Sequence, residues 1–91
     1  MEKSILSALY RLGFSVSCVE GNAILGEMSS QNNGVLEVYV DLRDNTVTAT
    51  INERFASTHL FLIQKFKDAD YLTELFRGNY AFQEWFTETT D

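Results

Sequence analysis

The chain has one cysteine and one histidine, no glycine-rich phosphate loop, and no cysteine or histidine spacing of the zinc type. Each shortage removes a class of function. Cys18 alone closes no intrachain disulfide, which fits a reducing compartment. His59 follows Ser57 and Thr58, but hydrolytic catalysis needs a nucleophile, a base and an orienting acid converging in space, and three adjacent residues do not supply that arrangement. Asp68 and Asp70 have no legible third ligand for a cation, and the DLRDN turn lacks the twelve-residue loop with central glycine that calcium hands require. The expectation is a protein that is not an enzyme and has neither cofactor nor metal.

Long apolar runs are missing as well. None approaches the roughly 18 residues that a membrane span needs, and MEKSILSALYRLGF interrupts its apolar residues with Glu2, Lys3 and Arg11, unlike a signal-peptide core. A cytoplasmic protein is expected. Cations are scarce where acids are dense. Residues 1–67 carry seven carboxylates against six Lys or Arg, whereas residues 68–91 carry six carboxylates against Arg77 alone. Readers of nucleic acid replace the counterions around phosphate with Lys and Arg, so this distribution argues against direct DNA or RNA binding, and equally against anionic lipid.

What is present is the composition of a folded domain. A chain of 91 residues, 45% hydrophobic and 22% charged, is expected to form one domain over residues 1–91. Residues 2–12 place Ile5, Leu9 and Leu12 on one helical stripe, Ser4 is a candidate cap, and Gly13 sits where helices commonly stop. From Phe14 the period changes to two, with Phe14, Val16 and Cys18 expected to face inward. A Gly21-Asn22 turn then leads into AILGEM.

After the polar loop SSQNNG, VLEVYVDL alternates Leu36, Val38, Val40 and Leu42 with Glu37, Tyr39 and Asp41. RDN turns the chain, and TVTATIN sets Val47, Ala49 and Ile51 against three threonines. HLFLIQKF suits a strand or a buried helix; the strand is preferred, as a fifth. Asp68 or Asp70 then caps a helix carrying Leu72, Leu75 and Phe76, with a stop and restart at Gly78-Asn79. The fold class expected is α+β: an N-terminal helix, an antiparallel meander of four or five strands, and one or two C-terminal helices packed on one sheet face.

LTELF and FQEWF repeat one chemical pattern ten residues apart, apolar at i, i+3 and i+4, the stripe of a helix with one buried side. Most of these aromatics should cover the dry face of the sheet. The remainder suggest a partner-facing edge: Trp85, Phe82 and Phe86 as apolar anchors, with Glu84, Glu88, Asp70 and Glu74 as charges that set orientation. The expected function is a non-catalytic module that masks or holds a protein partner with a basic surface. Its sharpest form is a phage-type inhibitor of a nucleic-acid-binding protein. The alternative is a regulatory domain that binds a small molecule between sheet and helices, in a pocket lined by Phe61, Phe66, Tyr71 and Trp85. A homodimer through a sheet edge, formed by VLEVYVDL or HLFLIQKF, is a further arrangement the pattern permits.

Overall fold

The computed structural model describes residues 2–30, 34–52, 58–79 and 82–83. Helix α1 (Glu2–Leu12) leads into five antiparallel strands, β1 (Ser15–Glu20), β2 (Ala23–Ser30), β3 (Gly34–Asp41), β4 (Thr46–Asn52) and β5 (Thr58–Lys65), followed by α2 (Ala69–Arg77). The strands pair in sequence order as a meander, so β1 and β5 are the edges. This is the expected α+β layout, and the ambiguous HLFLIQKF stretch is a strand.

Helix α1 ends because Gly13 takes φ 103°, a left-handed backbone that side chains disfavour. The Gly13 N–H donates to the Tyr10 carbonyl and the Phe14 N–H to the Leu9 carbonyl, both at 3.0 Å, which is the Schellman pattern. Phe14 and Leu9 are both buried, supplying the apolar contact that accompanies such an ending. The stop therefore aims the chain directly into the core.

Both helices pack on one face of the sheet and against each other. The strand alternation supplies Ile24, Leu36, Val38, Val40, Val47 and Ala49 to that face, and the helices supply Ile5, Leu9, Leu12, Leu72 and Phe76, all buried. Burying apolar area at roughly 25 cal/mol per Å² is what holds the layers together. Gly26 permits a close approach. A Cβ there would lie 3.1 Å from Val38 Cγ1 and 3.2 Å from the Ser15 carbonyl oxygen.

At the C-terminal side, the Asp68 carboxylate caps α2 by accepting from the Tyr71 N–H at 2.8 Å. Asp70 is not the cap. After Gly78, the Asn79 side chain accepts from the Phe82 N–H at 3.0 Å, restarting a helical turn as an N-cap would. The pause expected at Gly78-Asn79 is thus built from two capping events. Phe82 closes the core end, its ring 5.3 Å from Phe76 and 6.3 Å from Phe14.

Cys18, expected to face inward, does not. Val16 pairs with Gly26 but Cys18 pairs with Leu25, so Ser17 is an extra residue, a β-bulge in β1. The Ser17 hydroxyl donates to the Leu25 carbonyl at 3.2 Å. A one-residue insertion swaps the faces of everything after it, and so Cys18 is exposed rather than packed.

Candidate functional site

Because both helices lie on one side, the opposite side of the sheet is left to solvent among the described residues. Its side chains follow from the register. Cys18 opposes Leu25, Leu25 opposes Tyr39, Tyr39 opposes Thr48, and Thr48 opposes Ile63, a continuous row across all five strands. The large apolar members are open to water: Leu25 is 38% exposed, Tyr39 39% and Ile63 64%. A sheet face with one solvated side normally alternates to polar residues there, so a row of this kind is an exception to explain.

The neighbouring row is acidic. Ser15 opposes Glu27, Glu27 opposes Glu37, and Glu37 opposes Thr50. Both glutamates are exposed. Directly opposed side chains have Cβ atoms about 4.5–5.5 Å apart, a separation at which like charges repel. Among the described residues the ion pair is elsewhere, between Arg43 and Asp41 at 2.9 Å. A shallow depression of about 320 Å³ lies over these two rows, with Leu25, Glu27, Glu37, Tyr39, Thr48 and Thr50 in its lining.

The rim at one end is tied down by hydrogen bonds. Asp41 accepts from the Arg43 N–H at 2.9 Å, from Nε at 3.1 Å and from Nη2 at 2.9 Å. These hydrogen bonds from Arg43 hold the Asp41 carboxyl below the usual carboxylate range, and Asp41 in turn raises Arg43. The same turn is stitched to its neighbours: the Leu42 N–H donates to the Asn22 carbonyl at 2.8 Å, and the Phe66 N–H to the Asn45 carbonyl at 2.9 Å. Asn45 takes φ 55° to make this possible.

The residues expected to form a partner-facing edge are distributed differently. Phe82 is 5% exposed and locked between Phe14 and Phe76, so it belongs to the core and cannot anchor a partner without opening it. Asp70 and Glu74 are exposed on α2. Trp85, Phe86, Glu84 and Glu88 lie outside the described residues. Of the expected pocket lining, Phe66 is buried in the core and Tyr71 is partly buried against it, whereas Trp85 and the Phe61 side chain lie outside the described part. No three His, Cys, Asp or Glu residues cluster as a metal site among the described residues.

The alternation in VLEVYVDL places Glu37 and Tyr39 on the wet face but does not show the two rows they join. The signal was present in the β2–β3 hairpin, since pairing Ser30 with Gly34 places Leu25 opposite Tyr39 and Glu27 opposite Glu37. Ile63 reaches the row only because β5 is irregular: Thr50 pairs with Leu60 and Ala49 with Leu62. No periodicity announces that extra residue.

No protein-family model, curated protein or solved structure matches the chain. No helix among the described residues is long and apolar enough to cross a membrane.

Proposed function

We propose that the protein is a non-catalytic protein-binding module whose contact surface is the open face of the sheet. The observation that carries this reading is the exposed Leu25–Tyr39–Ile63 row on the face opposite both helices. Buried aromatic and aliphatic anchors ringed by charge are what contribute most to protein interfaces, and Tyr39 beside Leu25, bordered by Glu27 and Glu37, has that composition. The hydrogen-bonded Asp41–Arg43 turn at its edge supports it, because groups already held in place by such bonds lose less entropy on binding.

Such a module acts by occupancy, masking a partner's surface or holding it in one state. Exposed Glu27 and Glu37 beside the row add negative potential that favours partners with basic surfaces. The test is capture of the partner from extract of the native cells at about 0.15 M and again at about 0.5 M salt, where the Debye length falls from about 8 Å to roughly 4 Å. A partner held at low salt and weakened at high salt supports a mixed apolar and acidic surface. Absence of any specific partner at both salts contradicts the reading.

A further inference from the structure

Resting on that protein-binding reading, we propose that the open face receives a basic, amphipathic stretch of the partner, one arginine of which bridges Glu27 and Glu37 while adjacent apolar side chains cover Leu25 and Tyr39. The face specifies this chemistry by what it leaves unresolved. Glu27 and Glu37 stand directly opposed across the β2–β3 pair, and among the described residues the cations near this face are Arg43, paired with Asp41, and Lys65, on edge strand β5 opposite Thr46. One cation placed between the two carboxylates converts a repulsive pair into two attractive ones. Arginine suits the position better than lysine, since its planar fork can serve both carboxylates and stack on the Tyr39 ring in the adjacent row.

Charge excludes the nearest alternatives. A second copy laid face to face would set Glu20, Glu27 and Glu37 against the same residues, adding like charges to a chain already at −6. The chain's own last residues bring Glu84, Glu88 and Asp91 and no Lys or Arg after Arg77, so they have the same sign as the face. A divalent cation would need further ligands beyond the two glutamates, and none clusters there among the described residues.

The experiment is selection of a displayed library of random twelve-residue peptides on the whole chain, followed by backbone amide shift mapping with the tightest synthetic peptide. Recovered peptides should carry arginine next to aromatic or aliphatic residues, and shift Leu25, Glu27, Glu37, Tyr39 and Thr48. Their affinity should fall tenfold or more for Glu37→Gln and for Tyr39→Ser, with melting curves showing that both variants are folded. Peptides lacking a cation, or insensitive to Glu37→Gln, overturn the inference. Peptides that map to Asp70 and Glu74 on α2 overturn it too, but leave the protein-binding reading standing. Recovery of no peptide also overturns it, and the extract capture then decides separately whether the broader reading survives. Calcium binding that is abolished by Glu37→Gln, or a dimer in sedimentation that Tyr39→Ser dissolves, identifies a different occupant and likewise overturns it.

Discussion

Glu27 and Glu37 stand directly opposite one another on adjacent inner strands of the sheet, both exposed on the face away from the helices. Opposed like charges on paired strands cost roughly 0.2–1 kcal/mol, and a fold selected only for stability would place a threonine or lysine at one of them. Glu37→Gln should therefore raise the unfolding free energy by about 0.2–1 kcal/mol, measured by urea denaturation at low ionic strength. The gain should shrink in about 0.5 M salt, where the repulsion is screened. A loss of stability on substitution would mean that the pair is already neutralised within the fold.

Phe82 provides a second check, because it was expected on a contact surface and is found in the core. Phe82→Ala should cost about 3 kcal/mol or more, in the range for truncating a buried phenylalanine. The same change at an exposed position would move stability by less than about 0.5 kcal/mol. Denaturant midpoints at constant slope separate the two outcomes.

Gly26 predicts a packing penalty with no change of charge or polarity. Gly26→Ala introduces a methyl group 3.1 Å from Val38 Cγ1 and 3.2 Å from the Ser15 carbonyl oxygen, one of them buried core and the other backbone. Neither yields easily, so destabilisation of about 1–3 kcal/mol is expected, the usual cost of overpacking. A thermal melt of the variant settles the point.

The Asp41–Arg43 pair makes a pH prediction whose sign follows from its direction. Arg43 depresses the Asp41 pKa in the folded protein, so the contribution is fully present above the unfolded carboxylate value of about 3.9. It is lost as pH falls through the depressed folded value. The melting temperature of Asp41→Asn should thus lie below that of the parent near pH 6, and the difference should narrow progressively in the acid range below pH 4. A constant difference across that range would show that Asp41 contributes through something other than its charge.

The fold was legible because its pieces carry local signals that agree with one another. Gly13 after an apolar stripe, Gly21-Asn22 between alternating runs, and Asp68 before Leu72 and Phe76 each specify an ending or a beginning without reference to the rest of the chain. The ends of the open row, Cys18 and Ile63, were less legible, because they depend on the bulge at Ser17 and on the irregular pairing beside Thr50. Each inserts one residue into a period of two, and neither Ser17 nor the LFL stretch announces it. Phe82 misled for a related reason: aromatic residues beside glutamates read alike at a core edge and at an interface until a partner ring such as Phe76 fixes the orientation.

The Leu25–Tyr39 row on the open face is the proposed binding surface for the partner. Its most direct test is capture from native extract with the parent chain and with a Leu25→Ser, Tyr39→Ser double variant, compared by quantitative mass spectrometry. Neither side chain belongs to the buried core cluster, so the variant should remain folded, which a thermal melt checks. Loss of the partner captured by the parent, by tenfold or more, is the predicted result. Equal recovery of that partner by a folded double variant would contradict the account and move the contact surface elsewhere on the molecule.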